Sequence, residues 1–199
     1  MRMGSMVKWH WVSSALCLAG LLLFAITGIT LNHAQSIEAK PRTVTIEKVI
    51  PEALLEQLAA VETEQPPEIL PREMVNWARQ ELRLNLANKQ AEWSDFDIYF
   101  SLPKPGGDAW LSIDRYTGEV IYEDTSRGTI AYLNDLHKGR HTGLVWQWFL
   151  DIFAVACVIF SVTGLLLLHK FARNRWSTWP LVSLGVVLPA VLLLLFTHG

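Results

Sequence analysis

The sequence predicts an α-helical membrane protein with three transmembrane helices and a small α+β domain inserted between the first and the second. Three observations carry that expectation. Of 199 residues, 51% are hydrophobic and only 18% are charged. The apolar residues gather in three blocks, roughly 9–32, 144–168 and 180–197, each near the ~20 residues that a helix needs to cross a hydrocarbon core. Between the first two blocks the chain turns polar and shows short alternating runs separated by turn residues.

The first block, His10 to His33, has a histidine at each end. Its apolar run exceeds the roughly 7–15 residues of a signal-peptide core. Asn32-His33-Ala34-Gln35-Ser36 is also a poor cleavage site, so residues 1–33 read as an N-terminus followed by an uncleaved anchor. A polar linker to Pro41 then opens a domain over 34–143. Thr43–Glu47 alternates polar and apolar residues, as a short strand does. Pro51 opens a helix over 51–62 with a Leu54, Leu55, Leu58 stripe, and Glu64-Gln65-Pro66-Pro67 breaks it. A second helix, 71–86, puts Met74, Trp77, Ala78 and Leu82 on one face. Asp95–Phe100, Ala109–Asp114 and Glu119–Glu123 read as strands. The turns between them are Lys104–Asp108 and Arg115–Gly118, where Asp114 caps and Gly118 takes a positive φ. The sum is an antiparallel hairpin or meander covered by the 71–86 helix. A second span over 144–169, a basic loop over 170–179 and a third span over 180–199 complete the chain.

Lys and Arg set the expected orientation. Arg2 and Lys8 precede the first span; Lys170, Arg173 and Arg175 lie between the second and third, and neither stretch holds an acid. By the positive-inside rule both face the cytoplasm, which leaves 34–143 outside. Trp9, Trp11, Trp146, Trp148, Trp176 and Trp179 flank the apolar blocks as an interfacial belt does. The outer segment carries 12 basic and 18 acidic residues, a balance that argues against a nucleic-acid partner. Cys17 and Cys157 both fall within spans and read as small apolar core residues, without a disulfide framework or CxxC pair. No G-x-S-x-G, H-E-x-x-H, P-loop or Rossmann glycine pattern occurs, which argues against a hydrolase and against a built-in nucleotide or flavin site.

The six histidines are His10, His33, His137, His141, His169 and His198. Each sits at an end of a predicted span. His10 and His33 are separated by roughly 35 Å of helix, one at each membrane face. The first two spans share a pattern, Thr27-Gly28-x4-His33 and Thr163-Gly164-x4-His169. Gly28 and Gly164 allow a neighbouring helix or ligand to approach closely. His137 and His141, four apart, would share a helical face, although Gly139 and Gly143 weaken a helix there. Asp151 is the one acid inside a span, where a carboxylate is costly.

The stretch WLSIDRYTGEVIYED (Trp110 to Asp124) resembles the core hairpin of a PepSY domain, and a helix before it fits the PepSY order. With the TG-bearing helices and the segment DLHKGRHTG (Asp135 to Gly143), the chain resembles PepSY-associated transmembrane proteins over most of residues 5–170. The resemblance implies a bacterial inner-membrane protein with a periplasmic PepSY-like domain. Some larger relatives bind b-type haem through histidine pairs and are linked to iron-siderophore reduction. It therefore implies haem b, up to two per chain, electron transfer across the membrane and a ferric-reductase-like role. The histidine positions permit a His10–His169 pair at the cytoplasmic face and a pair of His33 with His137 or His141 outside. Asp151 would orient a ligand or relay a proton. Arg140 and Lys138 outside, and Lys170 or Arg173 inside, would meet haem propionates. Two helices enclose a macrocycle incompletely, so a homodimer or a redox partner protein is expected. Three other readings stay open. His33, His137 and His141 could hold zinc or copper, or the histidines could simply be wetted at the interface. The PepSY-like domain could instead be a non-catalytic binding or inhibitory module, tethered to the bilayer, whose hairpin edge pairs with a peptide.

Overall fold

The computed structural model describes residues 3–61, 69–172 and 174–196. The expected break at Glu64-Gln65-Pro66-Pro67, together with Arg2, Arg173 and His198, lies outside the described residues. The chain divides into two compact units, residues 1–25 with 148–199, and residues 26–147.

Three helices are long and apolar enough to cross a membrane, over Gly4–Asn32, Gly143–Phe171 and Thr178–Phe196. They belong to α1 (Met3–Asn32), α5 (Gly143–Phe171) and α6 (Thr178–Phe196), and the protein is a multi-pass membrane protein. Their large apolar side chains point mostly outward; in α6 none is buried. That is the arrangement expected where lipid, not protein, solvates the helix. Small residues line the α1–α5 contact. Cys17 is fully buried beside Cys157, and a Cβ at Gly20 would overlap the Phe153 ring. Close approach through small residues is the usual basis of helix association in lipid.

The second unit is built on a five-stranded antiparallel sheet. Its strands are β1 (Arg42–Val49), β2 (Glu92–Trp93), β3 (Asp97–Ser101), β4 (Gly107–Asp114) and β5 (Glu119–Ser126), in the order β1-β5-β4-β3-β2. The expected hairpin is the β4–β5 pair, with Ile113 opposite Val120 and Trp110 opposite Glu123. β1 pairs with β5 along its whole length, from Arg42 opposite Ser126 to Val49 opposite Glu119. Its other side makes β1 an edge of the sheet. β2, two residues long, escaped the sequence pattern.

One face of the sheet is the core. Ile98, Phe100, Leu111, Ile113 and Val120 are buried against α2 (Glu52–Ala59) and α3 (Arg72–Glu81), which contribute Leu58, Met74, Val75 and Ala78. α3 stops well before residue 86. Arg83 adopts φ +58°, a left-handed conformation that an α-helix cannot continue through; Leu86 still reaches the core from the following loop. Arg115, expected only as a turn residue, is buried. Its guanidinium donates to the Ser94 carbonyl at 2.9 Å and the Leu58 carbonyl at 3.3 Å, and lies over the Trp93 ring. It thereby adds a side-chain donor to a carbonyl near the C-terminus of α2 that already accepts from the Val61 N–H at 3.3 Å.

Strand alternation and register put the remaining side chains on the opposite face. Tyr99 and Trp110 stack there at 6.2 Å, and Trp110 Nε1 donates to Glu123 at 3.2 Å. The same face carries Glu47, Glu92, Asp97, Asp108, Asp114, Glu119 and Glu123, and no Lys or Arg. At its end Asp114 caps the β4–β5 turn as expected, accepting from the backbone of Tyr116 at 2.8 Å and Thr117 at 2.7 Å. Those two N–H groups hold its carboxyl below the usual carboxylate range. Near the core side, burial and then the Asp124 carboxylate push the Tyr122 phenol up to about 12.

A further helix, α4 (Thr129–Lys138), lies in the stretch between sheet and second span. Gly106 admits its backbone: φ is +70°, and a Cβ there would stand 2.6 Å from Tyr132 Cα. Asp135 anchors the helix, accepting from the Gly106 N–H at 2.8 Å and facing Arg127 at 3.5 Å. Gly139, left-handed at φ +66°, ends it; its N–H and that of Arg140 return to the Leu136 and Asp135 carbonyls.

Candidate functional site

The structure brings each Thr-Gly pair of the spanning helices against a histidine from elsewhere in the chain. In α5, Thr163 Oγ1 lies 3.0 Å from His10 Nδ1. The His10 ring stacks on Phe160 with centroids 4.9 Å apart and planes 11° off parallel. A Cβ built on Gly164 would stand 3.2 Å from His10 Cε1. Phe160, Thr163 and Gly164 are spaced i, i+3, i+4, which places them on one helix face: a stacking wall, a hydroxyl and a bare floor. Thr163 is nearly fully buried, as a hydroxyl can be once its hydrogen bonds are made.

At the other end of α1 the same contact recurs with a different partner. Thr27 Oγ1 lies 2.6 Å from His137 Nδ1, and a Cβ on Gly28 would stand 3.7 Å from His137 Cε1. Asn134, one turn before His137 in α4, accepts from Thr30 at 2.7 Å. Trp146 Nε1 donates to the Leu136 carbonyl at 2.9 Å. His137 is thus docked by a group of polar contacts made by one short helix.

The remaining histidines sit differently. Each follows its glycine by five residues, which turns His33 and His169 roughly 140° away from the Gly28 and Gly164 faces. His33 is exposed and donates Nδ1–H to the Ile29 carbonyl at 3.0 Å. His169 is exposed and meets the Trp179 ring edge-on at 5.6 Å. His10 lines a cleft of about 420 Å³ with Gly164, Leu167, Leu168 and Phe171. His169 lines a separate one of about 550 Å³ with Met6, Leu166 and Lys170. His137 and His141 do not share a helical face. α4 ends at Lys138, and His141 lies beyond it at φ +57°, exposed, with Nε2 accepting from Arg140 Nε at 3.1 Å. Asp151 is exposed on α5. No group of three or more His, Cys, Asp or Glu side chains converges as a metal site among the described residues.

Sequence reasoning missed the two receiving threonines as polar partners, and it missed the phenylalanines three residues before them. The signal was present. Both spans read F-x-x-T-G-x4-H, Phe24 to His33 and Phe160 to His169. The shorter T-G-x4-H reading drew attention to the histidine on the same helix, whereas the structure seats one from another helix.

No curated protein and no solved structure matches the chain. The inserted antiparallel sheet, the apolar helices on either side of it and a match to the PepSY_TM-like family model over residues 1–198 agree, and the chain belongs to that family.

Proposed function

We propose that this protein is a membrane electron carrier that binds b-type haem, with His10 as one axial ligand and His137 as the candidate at the other end of α1. The observation that carries the reading is the His10 contact. A metal-ligating histidine commonly commits its second ring nitrogen to a fixed partner, which sets the ring's aim and tautomer. Nδ1 of His10 is so committed to Thr163, and the ring borders a cleft of about 420 Å³, within the ~300–1,000 Å³ common for ligand sites. These features fit an axial imidazole. His137 meets the same condition through Thr27, whereas the Nε2 of His141 is engaged by Arg140. His10 and His169 line separate clefts, so we assign no ligand pair within one chain; the second axial position would fall to a facing copy or a partner protein.

Bound haem would supply one-electron chemistry. The chain's own residues would hold the iron ligands at fixed angles, exclude water with Leu167, Leu168 and Phe171, and offer Lys170 to an anionic edge. By the positive-inside rule the N-terminus is cytoplasmic and the PepSY-like domain lies outside, in the periplasm of a bacterial inner-membrane protein. A periplasmic ferric compound or redox protein is then the proposed acceptor.

A second reading also has support: β1 is an eight-residue edge strand whose side chains are largely exposed, able in principle to pair with an extended peptide. One experiment separates the two. Detergent-purified protein from haem-replete cells is expected to show sharp α and β bands on dithionite reduction, and His10→Ala is expected to lose at least half of the haem per chain. A colourless protein would end the haem reading and leave the tethered binding module.

A further inference from the structure

We propose that F-x-x-T-G forms an imidazole seat, and that Thr163 is the positioning residue that fixes His10 in one tautomer with Nε2 directed outward as the ligating atom. The argument is an accounting of one proton. Thr163 Oγ1 stands 2.6 Å from the Ile159 carbonyl and 3.0 Å from the Phe160 carbonyl. Carbonyls only accept, so the single hydroxyl proton goes to that pair. Nothing remains to donate to His10, and the 3.0 Å contact to Nδ1 needs a donor. The ring therefore donates Nδ1–H to the threonine oxygen. In a neutral imidazole this leaves the lone pair on Nε2.

Two further contacts fix where that lone pair points. Stacking on Phe160 sets the ring plane, and the missing Cβ of Gly164 lets the Cε1 edge settle on the α5 backbone. A larger residue at 164 would lift the ring off the hydroxyl. The recurrence of the motif argues that the seat is a unit. Thr27 and Gly28 repeat the contact, and the occupant is again an imidazole bonded through Nδ1, here His137, whereas Phe24, at the place of Phe160, stacks on Phe153 at 5.2 Å. The two occupants come from unrelated sequence contexts, so what repeats is the receptor.

As a ligand-orienting device the seat rests on the haem reading above; as a tautomer-fixing hydrogen bond it does not. The test reads both on the full chain in detergent. In ¹⁵N-histidine-labelled protein, with the His10 signals identified by their loss in His10→Gln, long-range ¹H–¹⁵N correlation is expected to show Nδ1 protonated and Nε2 bare in the haem-free form. Thr163→Val is expected to shift His10 toward the Nε2–H tautomer, and Thr163→Ser to restore the original pattern. In the haem-loaded form Thr163→Val should move the midpoint potential or lower haem occupancy several-fold, with Ser restoring it. A His10 already Nε2–H in the wild type, or unmoved by Thr163→Val, would overturn the seat even if the protein is red. A colourless protein whose His10 tautomer still follows Thr163 would overturn the haem reading and leave the seat standing.

Discussion

The two imidazole seats share a five-residue sequence pattern but differ in what holds the occupant. At Thr163–Gly164 the histidine comes from a spanning helix and is gripped sterically: Phe160 stacks on it, and a Cβ built on Gly164 would stand only 3.2 Å from its Cε1. At Thr27–Gly28 the histidine comes from the ten-residue α4, the floor is looser at 3.7 Å, and polar bonds from Asn134 and Asp135 do the holding. The comparison teaches that the motif specifies a receptor face, while the means of delivery are free to vary. A long helix can deliver its ring through apolar packing in lipid. A short helix outside the apolar spans needs hydrogen-bonded anchors, because isolated helices of this length are marginal in water.

That contrast can be broken most sharply at the glycines. Gly164→Ala sets a methyl 3.2 Å from His10 Cε1, tighter than a relaxed contact, so the ring must lift. Loss of the Nδ1–H signature of His10 and a several-fold drop in haem per chain are expected. Gly28→Ala, with an ordinary 3.7 Å contact, should leave His137 nearly unchanged. Equal effects at the two positions would mean that both histidines are held in the same way.

The polar anchoring of α4 is tested next. Asp135 is buried and accepts from Gly106 N–H. Removing it leaves that donor unpaired, which costs about 1–3 kcal/mol. Asp135→Ala should therefore lower the thermal stability of the inserted domain and disturb His137, while the His10 signals stay in place. If His10 moved equally, the two seats would not be independent.

The smallest effect is expected at Asp114, which belongs to neither seat. Its carboxyl is held below its ordinary range by two backbone N–H groups, so it contributes stability above the unfolded-state value of about 3.9. The contribution is lost as the pH falls through the lowered folded value. The group is partly exposed, and about 1 kcal/mol is the most it should supply. Asp114→Asn should lower the domain's melting temperature slightly at pH 7, not at all near pH 2, and leave both histidines untouched.

Much of this architecture was legible because lipid and sheet impose simple periods. The three apolar blocks and the Asp114–Gly118 turn were found within a few residues of their observed places. α4 was not, and its physics explains the failure. Its buried residues are Asn134 and Asp135, while Ile130 and Tyr132 are exposed. A helix that turns its polar side inward inverts the pattern by which amphipathic helices are recognised. The expected helix over 71–86 overruns α3 because nothing local marks Arg83 as a residue that leaves the α region. At the candidate site, the Thr-Gly repeat was visible in the sequence, but its occupants lie 153 and 110 residues away. Periodicity carries no information at such range.

The open sheet face has a consequence for how copies of this protein crowd together. Its exposed β1 edge and its stacked Tyr99–Trp110 centre are the features by which sheets commonly aggregate. Yet the face around Tyr99 and Trp110 is lined with carboxylates, and no Lys or Arg shares it among the described strand residues. Two such faces brought together would set like charges opposite one another, a repulsion strengthened as water leaves between them. In a bilayer, where every copy is confined to the same plane and the same orientation, local concentrations are high. There two such acidic faces would disfavour sheet-to-sheet pairing of neighbouring domains.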